Sequence, residues 1–209
     1  MKKNLFALLF CYSSLYFSQE GRFVFTSSYG LSYIDYAKVI YALPPEAENN
    51  LTTEINPIGT VLGIELDYNI KKNSYIGIGF SRQHHSKDVT NTLYFGDNSF
   101  SFENYRFNLN KTLIDVRYKK MYEHFTWSAG FFYYWESFAS PSVLTNDNFG
   151  IDIILDNNYN NADQFGLYTS LGYVHPIKDY VDIGVQAKAY YSFAGFETIS
   201  LAPFIAFKF

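Results

Sequence analysis

Cysteine is all but missing from this chain. The one copy in 209 residues, Cys11, sits inside an N-terminal apolar run, so the rest can hold no disulfide framework, thiol catalyst or thiolate metal site. Positive charge is also scarce: 16 Lys and Arg stand against 20 Asp and Glu, for a formal charge of -4. That balance is not the footprint of a nucleic-acid binder. Beyond residue 17 no apolar run is long enough for a transmembrane helix. What the chain has instead is aromatic: 21 Phe and 20 Tyr, 21% aromatic residues with Trp included, at a mean hydropathy of only -0.12. Many aromatics at modest hydropathy suggest apolar residues on alternate positions, the period of a strand with two unlike faces.

The first residues, MKKNLFALLFCYSSLYFSQE, read as a secretory signal peptide: Lys2 and Lys3, an apolar run from Leu5 to Phe17, then Ser18 and Gln19. Residues 1–19 are predicted to be this leader and 20–209 a single domain. Phe10 is too bulky, and the run continues too far, for Cys11 to be a lipoprotein acylation site. Removal of the leader takes Lys2 and Lys3 with it and moves the formal charge to about -6.

Eight alternating segments follow. Clearest is His124 to Glu136, with Phe125, Trp127, Ala129, Phe131, Tyr133 and Trp135 on one face and Thr126, Ser128, Gly130, Phe132, Tyr134 and Glu136 on the other. Arg22 to Tyr33, Ile58 to Tyr68, Ile76 to Ser81, Lys111 to Tyr118, Phe165 to Tyr173 and Val181 to Tyr191 behave alike. So does the last stretch, Thr198 to Phe209, whose Leu201, Ile205, Phe207 and Phe209 share a face. Short polar turns at about 71–73, 119–123 and 176–179 alternate with long segments at about 34–56, 86–103 and 138–162, which read as exposed loops. Runs of about 9 to 13 residues suit tilted strands crossing a bilayer. A sheet in lipid must close, because an open edge would leave backbone groups unpaired. The expectation is therefore an all-β, eight-stranded, antiparallel up-and-down transmembrane barrel, with short periplasmic turns and long extracellular loops. A soluble lipocalin-type barrel is the rival outside membranes.

The inward rows would carry a charge network of Glu65, Asp67, Lys111, Asp115, Arg117, Glu136, Asp182, Lys188 and Lys208, paired across the lumen because an unpaired buried charge costs several kcal/mol. The same charges could instead line a pore. Glycines at 59, 63, 77, 79, 130, 166, 172 and 184 would make room for tyrosines and arginine. Two irregularities are predicted: a bulge near Asn108 to Lys111, where the apolar phase changes, and another at Pro203, which cannot donate to the ladder.

These features resemble the small outer-membrane barrels of Gram-negative bacteria, of the OmpA/OmpX-like and OmpW-like kind. The resemblance covers residues 20–209 and rests on the leader, the eight alternations, the loop asymmetry and the terminal strand. It implies integral residence in the outer membrane as a monomer, contact with outer-membrane lipid and lipopolysaccharide, and delivery by the barrel-assembly machinery through Leu201, Ile205, Phe207 and Phe209. It implies no cofactor and no enzymatic activity, and a structural or surface-contact role. OmpW-like barrels suggest the alternative of small or apolar solute passage. A further alternative is hydrolysis: His84 and Ser86 share one face near the outer interface, with Glu103 or Glu54 as orienter, an arrangement similar to that of the lipid A deacylase barrels. His84 and His85 project to opposite faces and so cannot easily share a metal. Asp156 to Asp163 lacks the glycine and glutamate of an EF-hand loop.

Overall fold

The computed structural model describes residues 22–35, 38–41, 51–54, 56–95, 98–145 and 151–209; the predicted leader lies outside them. Among these residues ten strands occur in chain order: β1 (Phe23–Ile34), β2 (Lys38–Tyr41), β3 (Leu51–Glu54), β4 (Ile58–Lys71), β5 (Ser74–Phe95), β6 (Asn98–Tyr122), β7 (Phe125–Thr145), β8 (Ile151–Lys178), β9 (Val181–Ser192) and β10 (Gly195–Lys208). Eight of them close one antiparallel barrel in the order β1-β10-β9-β8-β7-β6-β5-β4. β2 and β3 form a separate two-stranded hairpin within what the sequence suggested was a loop. The seam joins β1 to β10, from Val24 opposite Lys208 to Ile34 opposite Thr198, and Phe23 and Phe209 exchange backbone hydrogen bonds of 2.8 and 2.9 Å. The last strand thus completes the cylinder and leaves no open edge in the barrel.

Side chains divide as the alternation requires. Phe125, Phe131, Leu171, Ile78 and Leu201 project outward, each more than half exposed, while Thr26, Asp67, Lys111, Asp115, Arg117 and Phe132 are buried inside. This is the reverse of a soluble protein, and such an exterior belongs in acyl chains. Tyr68, Tyr118, Trp127 and Tyr173 ring the end with the short turns, and Tyr133 and Trp135 stand toward the other. On the outward row of β5 the aliphatic residues stop at Arg82, which pairs with Thr112; Thr112 in turn pairs with Trp135 and Trp135 with Asp163. Those residues mark the outer boundary of the lipid belt. Measured from the turns, β5, β6 and β7 need only about ten residues each to reach it, the span of a tilted strand; β8, which extends to Lys178 beyond Tyr173, needs about sixteen.

Strand lengths then diverge. β1, β4, β9 and β10 have 12 to 14 residues, whereas β5, β6, β7 and β8 have 22, 25, 21 and 28. The segments expected as loops at 86–103 and 138–162 therefore largely continue the strands as a wall of two hairpins, β5–β6 and β7–β8, which are laddered to each other only as far as Asn108 opposite Ala139, and Asp156 to Asp163 lies in β8.

Both predicted bulges are absent. β5 and β6 keep one register from Ser74 opposite Lys120 to Val89 opposite Tyr105, with the irregularity between Val89 and Asn91. Leu109 faces inward with Lys111 and is 3% exposed. The apolar row changes face there because the surroundings change from lipid to water above Arg82, without any slip of the strand. Pro203 stays in register opposite Val185. Its missing donor falls toward β1, where ladder pairs are present at Ser28 with Phe204 and at Leu31 with Leu201 but not between them. Gly30 lies in that gap, and a Cβ on it would run into Leu201 O and Ala202 Cα. The irregularity in β10 falls instead between Phe196 and Thr198.

Candidate functional site: the lumen and the outer rim

Inside the barrel the charges gather in three groups. Arg117 occupies the centre, with Nη2 donating to Glu65 at 2.9 Å and Asp67 at 2.8 Å and Nη1 donating to Asp115 at 2.6 Å. Lys188 pairs with Glu65 from the opposite wall, Gln186 Nε2 donates to the same carboxylate at 3.3 Å, and Lys119 Nζ lies 2.8 Å from Asp67. Three carboxylates and three cations thus balance in a space from which water is largely excluded. Geometry of this quality is needed to offset their desolvation. Gly77 and Gly79 make it possible: side chains there would collide with Asp67 and with Asp115 and Arg117.

A second group lies toward the outer mouth. Lys111, wholly buried, reaches Glu197 at 2.8 Å and Glu136 at 3.5 Å and stands 3.9 Å above the Tyr134 ring. The third, Lys208 with Asp182 at 2.8 Å, closes the turn end. Two apolar clusters fill space between and around them: Leu113, Phe132, Tyr134, Tyr168 and Tyr190, and, near the turns, Val24, Tyr75 and Ala206 with Met121 and Phe204. A cleft of about 380 Å³, lined by Asp35, Tyr134, Glu136, Gln164, Ala194, Phe196 and Glu197, opens at the outer mouth.

Every residue of the expected network lies in one of these groups, but Glu197 and Lys119 are additions. Continuing the inward phase of β6 two residues beyond Arg117 would have found Lys119. Glu197 could not be found that way, since counting back from Ser200 puts it on the lipid side. The irregularity beside it turns both Glu197 and Thr198 inward. His85 is a further buried group, its Nε2 3.1 Å from Ser32 Oγ and its Nδ1 3.3 Å from Asn56 O.

Of the hydrolytic candidates, only the side chains of His84 and Ser86 are described. His84 faces out, with Nδ1 3.0 Å from Asn110 Oδ1, and among the described residues no hydrogen bond joins it to Ser86. Glu103 lies on β6 and Glu54 on β3, both with side chains outside the described residues. His84 is exposed and His85 buried, on opposite sides of the wall. Higher on the same wall, Arg106 holds Asp88 through two hydrogen bonds of 2.7 and 3.1 Å, which keep that carboxyl below its ordinary range.

No family model matches the chain, and no curated protein matches it. Solved structures do. Ail, the attachment invasion locus protein of Yersinia pestis, seen with the heparin analogue sucrose octasulfate, is similar over 90% of this chain and 98% of its own, at 9% identity and a TM-score of 0.50. Neisserial surface protein A covers 91% and 98% at 12% identity and 0.49, and the outer-membrane protease OmpT of Escherichia coli 90% and 97% at 10% identity and 0.42. With the closed sheet, the polar interior and the apolar belt, the likeness to Ail gives the chain the fold of the small eight-stranded β-barrels that sit in bacterial outer membranes.

Proposed function

We propose that this protein is a non-enzymatic, integral outer-membrane barrel of a Gram-negative bacterium, with a plugged lumen and a surface-contact role carried by the wall of two extended hairpins. The observation behind the second part is the wall itself. β8 joins β9 only from Gly166 opposite Ser192, and β5 joins β4 only from His84 opposite Thr60. Ten or more residues of β5 to β8 therefore stand beyond the lipid belt as two hairpins, joined to each other only as far as Asn108 opposite Ala139, with strand edges whose backbone groups face away from the barrel's own ladder. Such edges are places where another chain can add. The plug rests on the Arg117 cluster and on Phe132, Tyr168 and Tyr190, which occupy the width of an eight-stranded interior.

The test compares the full chain with one whose residues 89–105 and 141–158 are replaced by short turns, both displayed on cells. Adhesion to surface-immobilised matrix proteins should fall to background for the trimmed chain while its heat-modifiable migration is kept; equal adhesion would remove the surface role. In planar bilayers the refolded full chain should show no steady openings. Sustained conductance would favour solute passage instead.

A further inference from the structure

The lipid-facing surface is not uniform. Next to the turn between β6 and β7 an apolar groove of about 470 Å³ runs across β7, β8, β9 and β10. Its floor is low because β9 presents Val185 and Ala187 there, and Ala187 lies in register between Leu171 and Leu201. Its walls are tall: Phe125, Trp127 and Tyr173 stand on one side, with Phe125 and Tyr173 at 5.5 Å and Tyr118 against Trp127 at 6.5 Å, both edge-on. Tyr122 and Phe125 also line a second, more polar cleft of about 460 Å³ at the turn, with Asn73, Lys120, Met121, Glu123 and His124. The two hollows adjoin at those shared residues.

Charge at this place is one-sided. Lys120 belongs to the outward row of β6, beyond Tyr118, and lies opposite Trp127 on β7. Its ammonium donates to Ser74 Oγ at 2.9 Å and has two more hydrogens to give. Lys71 pairs with the same Ser74 in the ladder, and Lys72 follows in the turn. Lys119 is engaged inward with Asp67, and Glu123 is the acidic residue in the cleft. The turn between β8 and β9 differs: Lys178 is followed there by Asp179, and Lys208 is paired with Asp182.

We propose that these adjoining hollows bind one anionic glycerophospholipid of the leaflet at the turn end, its phosphate at Lys120 and one acyl chain laid over Ala187 between Trp127 and Leu201. An apolar slot that ends at a basic cleft on the aromatic belt is complementary to a molecule with the same division at the same depth. A lipid with no net charge fills the slot and can also offer its phosphate, but the cation of its headgroup offsets the attraction of Lys120, Lys71 and Lys72, so anionic lipid is favoured.

Native mass spectrometry of the full chain, folded in detergent and titrated with phosphatidylglycerol or phosphatidylcholine, reads this directly. One phosphatidylglycerol should persist at collision energies that strip phosphatidylcholine. Lys120→Gln should lower the preference roughly fivefold, and Ala187→Phe, which fills the slot from the lipid side, should abolish retention of both lipids. Ile78→Phe, outward on another part of the belt, is the control, and heat-modifiable migration verifies folding of each variant. Equal retention of the two lipids, unchanged retention in Ala187→Phe, or displacement by glycerol phosphate alone would overturn the proposal.

Discussion

Strands β5 to β8 run through both the belt and the wall, yet the two regions are held together differently. Within the belt each strand is paired on both sides and its outer face meets acyl chains, while β6 carries the buried charges Arg117 and Asp115 on its inner face. Above Arg82 the medium outside is water, the outward row turns polar at His84 and Asn110, and apolar Leu109 turns inward. The contrast shows that apolar alternation reports the surroundings of each face and not the direction of the barrel interior. One unbroken strand can reverse its pattern when it crosses a phase boundary.

If the belt depends on its central cluster, Arg117→Met should be the most damaging change considered. It would leave Glu65, Asp67 and Asp115 facing one another with only Lys188 and Lys119 nearby, and breaking a buried pair in this way costs about 3–5 kcal/mol. Urea titration of the barrel in lipid measures it, and adding Glu65→Gln and Asp115→Asn should recover part of the loss. Recovery is the sharper half of the test, because a purely steric role for Arg117 would not respond to neutralised carboxylates.

The boundary itself can be located by charge. Phe131→Arg places a guanidinium on the lipid face well inside the belt and should cost about 2–4 kcal/mol, whereas Thr112→Arg, beside Arg82, should cost about 0–1 kcal/mol. Similar penalties at both positions would mean that the boundary has been drawn at the wrong height. The smallest effect is expected from the wall. Replacing 89–105 and 141–158 by short turns removes no member of the Arg117 cluster and no belt strand, so the unfolding midpoint should move little. A large shift would show that belt and wall unfold as one unit.

Much of this architecture was legible in the sequence, for a reason specific to membranes. Two unlike solvents, lipid outside and a polar lumen inside, impress a period of two on every spanning strand, and three short polar turns separate them into hairpins. Phe125 to Trp135 and Leu201 to Phe209 declare their outward faces without any neighbour being known. The same rule misled above the belt: it placed a bulge at Asn108 to Lys111 and called long strands loops, because asparagine-rich strands in water lack a strong apolar row. Pro203 illustrates a different limit, since proline opposes ladder pairing in general but its cost depends on which neighbour its nitrogen faces.

By itself, then, the order of residues determined the number of spanning strands, which face of each meets lipid, and which charges must find partners inside, since each follows from one side chain and its position along a strand. Tertiary structure alone decided that Glu197 turns inward, that Arg117 rather than Lys111 or Lys188 gathers three carboxylates, and that Ala187 lies sunk between Leu171 and Leu201. Those outcomes depend on register between strands far apart in the chain, which closure of the barrel fixes and local periodicity does not encode.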